Sequence, residues 1–368
     1  MRKTSAILLA AALPMAVQAA NTEFTYGGFI KLDAIYSQYN DGPNDAAGRD
    51  YYVPNTTPVG GANDSASFDM HAKTSRFNFK TVTTLDNGEK VTAFVEMDFL
   101  SGGGNEIVSN SYNPRLRHAF FSYNNLTFGQ TWSTFMNVGA LPETVDFIGV
   151  SEGTVFARQS QVRYTMGNLQ LSLENPENTV TTRTGSTDDA EMPDLIARYN
   201  IQSGDHSFSV AGIVRELADD DGAGNRESAM GFGANVAGVL KFGANDLKFS
   251  VTHGQVARYV GLAAAADSII VSSDIEPTDV TAAFVAYRHF WNPKLRSTVA
   301  YSMLQADYDN DTVASALVEK SNSARINLMY SPVKEVTYGV EYSNAKLEQV
   351  DGTDGSMDRL QFTAKYSF

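Results

Sequence analysis

Charged side chains recur in this sequence at positions two or four residues apart. That spacing places neighbours on one face of a β-strand, because successive side chains point to opposite faces. Carboxylate, ammonium and guanidinium groups arranged in this way can form ion pairs, or can attract and steer a charged solute. The chemistry that they indicate is electrostatic and non-covalent. The pairs are Lys31 and Asp33, Arg76 and Lys80, and Glu96 and Asp98.

Apolar residues beside these charges indicate which face of each segment meets water. Ile30 and Leu32 alternate with Lys31 and Asp33, so the two charges share a polar face that lies opposite an apolar one. We therefore expect the charges in such segments to face water. The same alternation predicts water-facing side chains at Arg76, Lys80, Glu96, Asp98, Arg163, Arg198, Arg215, Arg296, Arg325 and Arg359.

Covalent catalysis and metal binding find little support in the same sequence. The five histidines do not have metal-ligand spacing, and no serine stands in a nucleophile-elbow motif. The acidic segment from Asp219 to Asn225 lacks the glutamate that a calcium loop of the EF-hand type needs at its end. We therefore predict no metal site and no catalytic residue.

The elements that position the charges are strands, because two-residue alternation repeats along nearly the whole chain. In the last segment, Leu360 and Phe362 fall on one face and Gln361 and Thr363 fall on the other. The pattern predicts sixteen strands. They are 24–39, 67–85, 90–100, 115–123, 126–132, 158–166, 168–174, 192–201, 206–216, 227–242, 247–256, 277–290, 295–306, 320–330, 335–346 and 358–368.

Short and long connections alternate between these predicted strands. The short ones, such as Asp86-Asn87-Gly88-Glu89 and Gly167-Asn168, contain residues that accept turn geometry. The long ones are polar, and the third of them covers 133–157. Such an arrangement is typical of a membrane β-barrel that carries turns on one rim and loops on the other.

The N-terminus and the composition narrow the cellular setting. Arg2 and Lys3 precede an apolar run from Ala6 to Val17 and a small-residue site at Val17-Gln18-Ala19, which predicts a signal peptide over 1–19 and a single domain over 20–368. Loss of Arg2 and Lys3 would shift the formal net charge from −14 to about −16. A nucleic-acid partner is therefore not expected. The chain contains no cysteine, so something other than disulfides must hold the fold, and a closed hydrogen-bond ladder is one such device.

These patterns predict an all-β fold, namely a transmembrane antiparallel β-barrel of sixteen strands. A barrel of this size leaves an aqueous lumen, whereas about eight strands are filled by their own side chains. A soluble exported β protein is the alternative, and the placement of aromatic residues near predicted strand ends argues against it. Those residues are Phe24, Tyr26, Tyr36, Phe290, Trp291, Tyr330, Tyr366 and Phe368.

Alternation does not settle the direction of Arg115, Arg117 and Arg158, because apolar neighbours fall on both faces. An arginine that faces lipid costs about 2 to 4 kcal/mol at the middle of the bilayer. We therefore assign these three arginines to the lumen as well.

Taken together, the sequence resembles the general bacterial porin family over essentially all of the chain after the signal peptide. Three features carry the resemblance: the alternating strands, the terminal Lys365-Tyr366-Ser367-Phe368, and the strand Leu126 to Trp132 followed by Leu141-Pro-Glu-Thr-Val-Asp-Phe147. The segment Gly129-Gln-Thr-Trp-Ser-Thr-Phe135 is most similar to the DcaP-like group, whose name refers to dicarboxylic acid uptake. An N-terminal coiled-coil extension, which some members carry, is not evident.

The resemblance implies several further properties. The third loop folds into the barrel and narrows it, which makes Glu143, Asp146 and Glu152 candidates for an acidic face opposite a basic wall. The terminal Phe368 is the family's usual signal for the barrel-assembly machinery. The assembly is a homotrimer in the outer membrane of a Gram-negative bacterium, in contact with outer-membrane lipid.

Two interpretations of the basic wall stay open. Arg76, Lys80, Arg115, Arg117, Arg158 and Arg163 either form a ladder that guides small anionic solutes, or pair with Glu96, Asp98 and loop acids to hold the loop. The expected function is passive diffusion of small hydrophilic solutes, which needs no cofactor. The rival functions are an outer-membrane enzyme, such as a lipid hydrolase, and a non-conducting structural or adhesive barrel.

Overall fold

The chain forms a closed barrel of sixteen antiparallel strands in the computed structural model, which describes residues 21–180, 186–187, 189–220 and 225–368. The predicted signal peptide at 1–19 lies outside these residues. The strands are β1 (Thr22–Tyr39), β2 in two segments (Ser65–His71 and Arg76–Thr84), β3 (Lys90–Asp98), β4 (Arg115–Tyr123), β5 (Leu126–Trp132), β6 (Arg158–Met166), β7 (Leu169–Glu174), β8 (Asp194–Ser203), β9 (His206–Asp220), β10 (Arg226–Phe242), β11 (Asn245–Gly254), β12 (Asp279–Asn292), β13 (Leu295–Asp307), β14 (Val318–Val333), β15 (Val336–Gln349) and β16 (Asp354–Ser367).

Pairing between the first and last strands closes the cylinder. The register of β1 on β16 runs from Phe29 opposite Ser367 to Tyr39 opposite Met357. At the end of this seam, the backbone N–H of Phe368 donates to the carbonyl of Gly28 at 3.1 Å. Closure leaves the wall without a free strand edge there, which is the condition for a sheet that spans a bilayer. The sixteen-stranded antiparallel fold predicted from the sequence is confirmed.

Strand β2 is interrupted, although the sequence pattern predicts one continuous strand over 67–85. His71 lies opposite Asp33 and Arg76 lies opposite Phe29. Three residues of β1 therefore face four residues of β2, and the extra residue reverses the alternation, as a β-bulge does. His71 and Arg76 consequently both face the lumen although they are five positions apart.

A second irregularity explains why the direction of the arginines in β4 could not be read from alternation. Glu96 pairs with His118, while the next residue, Met97, pairs with Leu116. Arg117 is therefore the extra residue of a bulge. Arg117 and His118 are both buried on the inner side, whereas Leu116 is exposed on the lipid side. The lumen assignment of Arg117 agrees with the structure.

Long connections fill much of the space inside the wall. Loops L3 (133–157) and L6 (255–278) contain runs of buried residues, and L1 (40–64) contains single buried residues such as Tyr52. L1 carries the short helix Ala46–Asp50, and L3 and L6 contain the 3₁₀ turns Val138–Ala140 and Ala257–Tyr259. The described residues contain no helix that has both the length and the apolarity needed to cross a membrane.

Gly129 in β5 should not tolerate a side chain. Its φ of +118° is rarely adopted by other residues, and an added Cβ would lie 2.3 Å from the carbonyl oxygen of Ala119. We expect Gly129→Ala to destabilise the detergent-folded barrel by about 2 kcal/mol or more, measured as a lower midpoint of thermal unfolding. Gly212→Ala is the control, because no other atom lies closer than 3.9 Å to its Cβ. Equal midpoints for both variants would contradict this account.

Candidate functional site

The middle of L3 is held against the wall by lysines that donate to its backbone. Lys31 Nζ in β1 lies 2.8 Å from the carbonyl oxygen of Val145, and Lys248 Nζ in β11 lies 2.6 Å from that of Leu141. A carbonyl oxygen does not neutralise an ammonium group, but Lys31 also forms an ion pair with Asp33 at 2.7 Å. Both lysines extend from the inner side of the wall, so these contacts hold this part of L3 within the barrel.

Two arginines hold the beginning of L3 in the same manner. Arg163 in β6 donates to the carbonyl of Trp132 and, at 2.7 Å, to Thr134 Oγ1. Arg198 in β8 donates to the carbonyl of Met136. Electrostatic interactions link Arg198 to Arg163 and link both arginines to the buried carboxylate of Glu174. Their hydrogen-bond acceptors in L3 are neutral, so these contacts leave the positive charge in place.

Glu143 joins L3 to the opposite wall through an ion-pair cluster. Its carboxylate accepts hydrogen bonds from Arg296 Nε at 2.7 Å and from Arg288 Nη1 at 3.0 Å. Burial alone would raise the pKa of Glu143, but the hydrogen bonds and charges of the two arginines outweigh burial and hold its pKa below the ordinary value. Glu143 therefore acts as an anchor at neutral pH.

The other two acids of L3 lie behind the loop. Asp146 is 4% exposed and accepts hydrogen bonds from the backbone N–H groups of Tyr52 and Gly149. Glu152 is fully buried and accepts from Tyr52 Oη at 2.7 Å and Ser323 Oγ at 2.9 Å, and burial raises its pKa. Both carboxylates thus bind L1 and the wall. The family resemblance implies that both belong to an acidic face opposite the basic wall. In the structure neither does, because both carboxylates are buried and anchor the loop.

On the other side of the lumen, β2, β3 and β4 bring charged residues into one network. Asp98 pairs with Arg115 and with Arg117, in both cases at 2.9 Å. Glu96 pairs with Arg117 at 2.8 Å and lies 3.5 Å from Arg76. Three guanidinium groups therefore share two carboxylates, and the network keeps a formal positive charge.

Arg158 adds a fourth guanidinium group at the end of L3. Among the described residues, no carboxylate forms an ion pair with Arg158. Its guanidinium carbon instead lies 4.9 Å from the ring of Trp132 and 5.7 Å from that of Phe156. Its buried Nη1 makes no hydrogen bond within the described part of the protein. No described carboxylate therefore compensates the charge of Arg158 through an ion pair.

Aromatic side chains of L3 face this arginine wall, which is the cluster of Arg76, Arg115, Arg117 and Arg158. The ring of Phe147 lies 5.9 Å from the guanidinium carbon of Arg115 and 5.6 Å from that of Arg117. Phe147 also packs edge-on against Phe156. Cations on the wall and aromatic rings on the loop thus face each other here.

The predicted site residues outside L3 divide into three groups. Arg76, Arg115, Arg117 and Arg158 come together as the arginine wall with Glu96 and Asp98 beside them, whereas Arg163 lies under the start of L3. Lys80 is exposed further along β2, towards the rim that carries the short turns. Sequence reasoning missed Lys248, although Leu247 and Phe249 flank it in the usual alternation, and it missed Tyr52, Phe147 and Phe156, for which no periodic signal exists. In the described ranges, no three metal-ligating side chains converge.

Comparisons with known proteins give one family and a set of similar structures. The model of the DcaP outer membrane protein family matches residues 10–368. The crystal structure of the outer membrane channel DcaP of Acinetobacter baumannii is 26% identical, with a TM-score of 0.80 over 94% of this chain and 97% of that chain.

More distant structures share the fold. A trimer form of OmpT from Vibrio cholerae is 12% identical, with a TM-score of 0.55 over 94% of this chain and 99% of that chain. OmpF of Salmonella typhi, solved with daunomycin, is 13% identical, with a TM-score of 0.58 over 94% and 97%. No curated protein sequence matched the chain.

The anchor at Glu143 should make stability depend on acidic pH. A depressed pKa in the folded protein stabilises the fold above the pKa of about 4.3 in the unfolded chain, and this contribution disappears as the pH falls through the folded pKa. We therefore expect Glu143→Gln to unfold at a lower temperature than the unsubstituted protein at pH 7 and to lose less stability between pH 5 and pH 3. Thermal unfolding in detergent over that range measures the difference.

The control for this titration is Glu335→Gln, which removes a carboxylate 41% exposed beside Lys334 in a short turn. Its midpoints should follow those of the unsubstituted protein at every pH. The explanation fails if Glu143→Gln shows the same pH dependence as the control.

Proposed function

This chain belongs to the DcaP outer membrane protein family and is an outer-membrane channel of the porin type from a Gram-negative bacterium; on that premise we propose that it favours small hydrophilic anions, such as dicarboxylates, and lets them diffuse passively. The observation that carries the proposal is the charge of the arginine wall. Four guanidinium groups face two carboxylates there, which leaves a local formal charge of +2 in a chain whose net charge is −14.

The wider lining supports the same preference. Lys248, Arg163 and Arg198 donate to neutral oxygens in or next to L3, so these contacts leave their charge to the field in the lumen, whereas Lys31 also pairs with Asp33 at 2.7 Å. The acids of L3 are bound elsewhere and do not oppose the wall. A low-dielectric wall concentrates such a field. In this proposal the two interpretations of the basic wall are compatible, because three arginines pair with acids and the excess charge would attract an anion.

Passage through such a channel would use only the solute gradient and no cofactor. The similar proteins found are channels rather than enzymes, and no catalytic step forms part of the proposal. A non-conducting barrel is the remaining alternative, and ion conductance in a planar bilayer separates it from a channel.

Arg158 offers the cleanest test of anion preference, because its removal leaves no buried acid without a partner. We expect Arg158→Gln to lower the anion-to-cation permeability ratio about two- to threefold, the effect of one charge at short range in water. Reversal potentials across a salt gradient in planar bilayers measure the ratio. Arg158→Lys, which keeps the charge, should stay close to the unsubstituted protein. A cation-selective channel that both variants leave unchanged would refute the anion preference.

We also propose that the channel is a homotrimer, as the solved trimer form of the OmpT relative is. Its outer face would then meet copies of itself along part of the wall and outer-membrane lipid elsewhere. Light scattering of the protein in detergent, corrected for the detergent mass, should give three times the mass of residues 20–368. A monomer mass at all protein concentrations would contradict the proposal.

The two ends of the chain would serve export and assembly. We propose that residues 1–19 are a signal peptide removed on export and that 20–368 form one domain. Phe368 would present the signal to the barrel-assembly machinery. In the folded protein its ring packs near Tyr26 and Phe77 at the seam between β1 and β16.

A further inference from the structure

A second long loop, L6, enters the lumen and packs against the back of L3. Its residue Tyr259 is fully buried. The carbonyl of Tyr259 accepts a hydrogen bond from the backbone N–H of Phe156 at 2.8 Å, and its ring lies 5.7 Å from that of Phe135 in an edge-on arrangement. L6 therefore supports L3 at Phe135 and at Phe156. The ring of Phe156 also lies beside Arg158 of the arginine wall.

A buried ion-pair latch fixes L6 to the wall. Arg215 in β9 donates to Asp267 of L6 at 2.7 Å, and both side chains have no exposed surface. Asp194 at the start of β8 accepts from Tyr259 Oη at 2.5 Å and lies 3.4 Å from Arg258. Breaking a pair of this kind leaves a charge in a desolvated site, so the latch strongly favours one position of the loop.

The wall behind L6 is apolar on its inner side as well as on its lipid side. Ile213 in β9, Ala282 in β12 and Leu304 in β13 are at most 3% exposed and belong to one hydrophobic cluster with Val256 and Tyr259 of L6. A lumen wall that meets water would carry polar residues at these positions. This part of the barrel is therefore packed like the core of a soluble protein.

We propose that L6 is a second constriction loop, which closes one half of the lumen to water and sets the width of the passage along the arginine wall by supporting L3. Arg215, Asp267 and Tyr259 are its positioning residues. The inference rests on the proposed channel function and deepens it. If L6 leaves its position, Phe156 loses a hydrogen bond and Phe135 loses its ring contact, so L3 loses its support.

Thiol labelling tests whether L6 excludes water, and the chain is well suited to it because it contains no cysteine. Ala282→Cys lies behind L6, whereas Ser122→Cys lies on the half-buried inner face of β4. An anionic, membrane-impermeant methanethiosulfonate should label Ser122→Cys readily and Ala282→Cys at least about tenfold more slowly, because access governs thiol reactivity. Equal labelling rates would overturn the inference.

Release of the latch should change both labelling and conduction. In an Asp267→Asn background we expect Ala282→Cys to become reactive and the single-channel conductance to rise about twofold or more as the open cross-section grows. Tyr259→Phe, which keeps the ring and loses the hydroxyl, is a milder variant and should show a smaller change in the same direction. Glu348→Gln, which removes an exposed ion pair with Lys320, should leave both readouts unchanged.

The outcomes separate the two proposals. Folded Asp267→Asn and Tyr259→Phe proteins, recognised by heat-modifiable migration on gels, with unchanged conductance and unchanged labelling would overturn the role of L6 and leave the channel function standing. An unsubstituted protein that never conducts ions would overturn the channel function and the role of L6 in conduction together. Faster labelling with higher conductance supports the inference.

Discussion

Every feature of this protein depends on the absence of hydrogen-bond partners in lipid. Backbone N–H and C=O groups inside a bilayer must be paired within the protein, so the strands must close into a cylinder. Closure through β1 and β16 then forces side chains to alternate between hydrocarbon and lumen. Charged residues are favourable only on the lumen side of the wall. Apolar residues face lipid, and they are also buried on the lumen side where loops enter the barrel.

The chemistry of the lumen follows from how its cations are satisfied. A lysine or arginine bound to a carboxylate loses most of its long-range field, whereas one bound to a carbonyl keeps it. L3 receives both kinds of contact: Glu143 takes two arginines, and three further cations, Lys248, Arg163 and Arg198, donate to neutral oxygens of the loop region. A chain with a net charge of −14 can therefore present a positive passage.

Sequence periodicity predicts the strands and most of the inward-facing charges, because one physical rule, the alternation of side chains, repeats in every strand. It fails where an extra residue interrupts the rule, as in β2 and at Arg117. It fails again for loop contacts such as those of Asp146 and Glu152, which depend on tertiary packing. The sequence does contain a signal of the packing of L6 against the wall. In β12 the stretch from Ala282 to Ala286 is apolar on both faces, a pattern typical of strands buried on both sides.

The seam between β1 and β16 also bears on how the molecule is made. Phe29 pairs with Ser367, and Gly28 bonds to Phe368, so the final contacts join the two extremes of the polypeptide. Closing so large a chain loop is an entropic barrier that must be crossed before these contacts stabilise anything, and folding dominated by such distant pairs is slow. The strand β16 must therefore be present before the cylinder can seal, and until then the open edges of the sheet need protection from other chains.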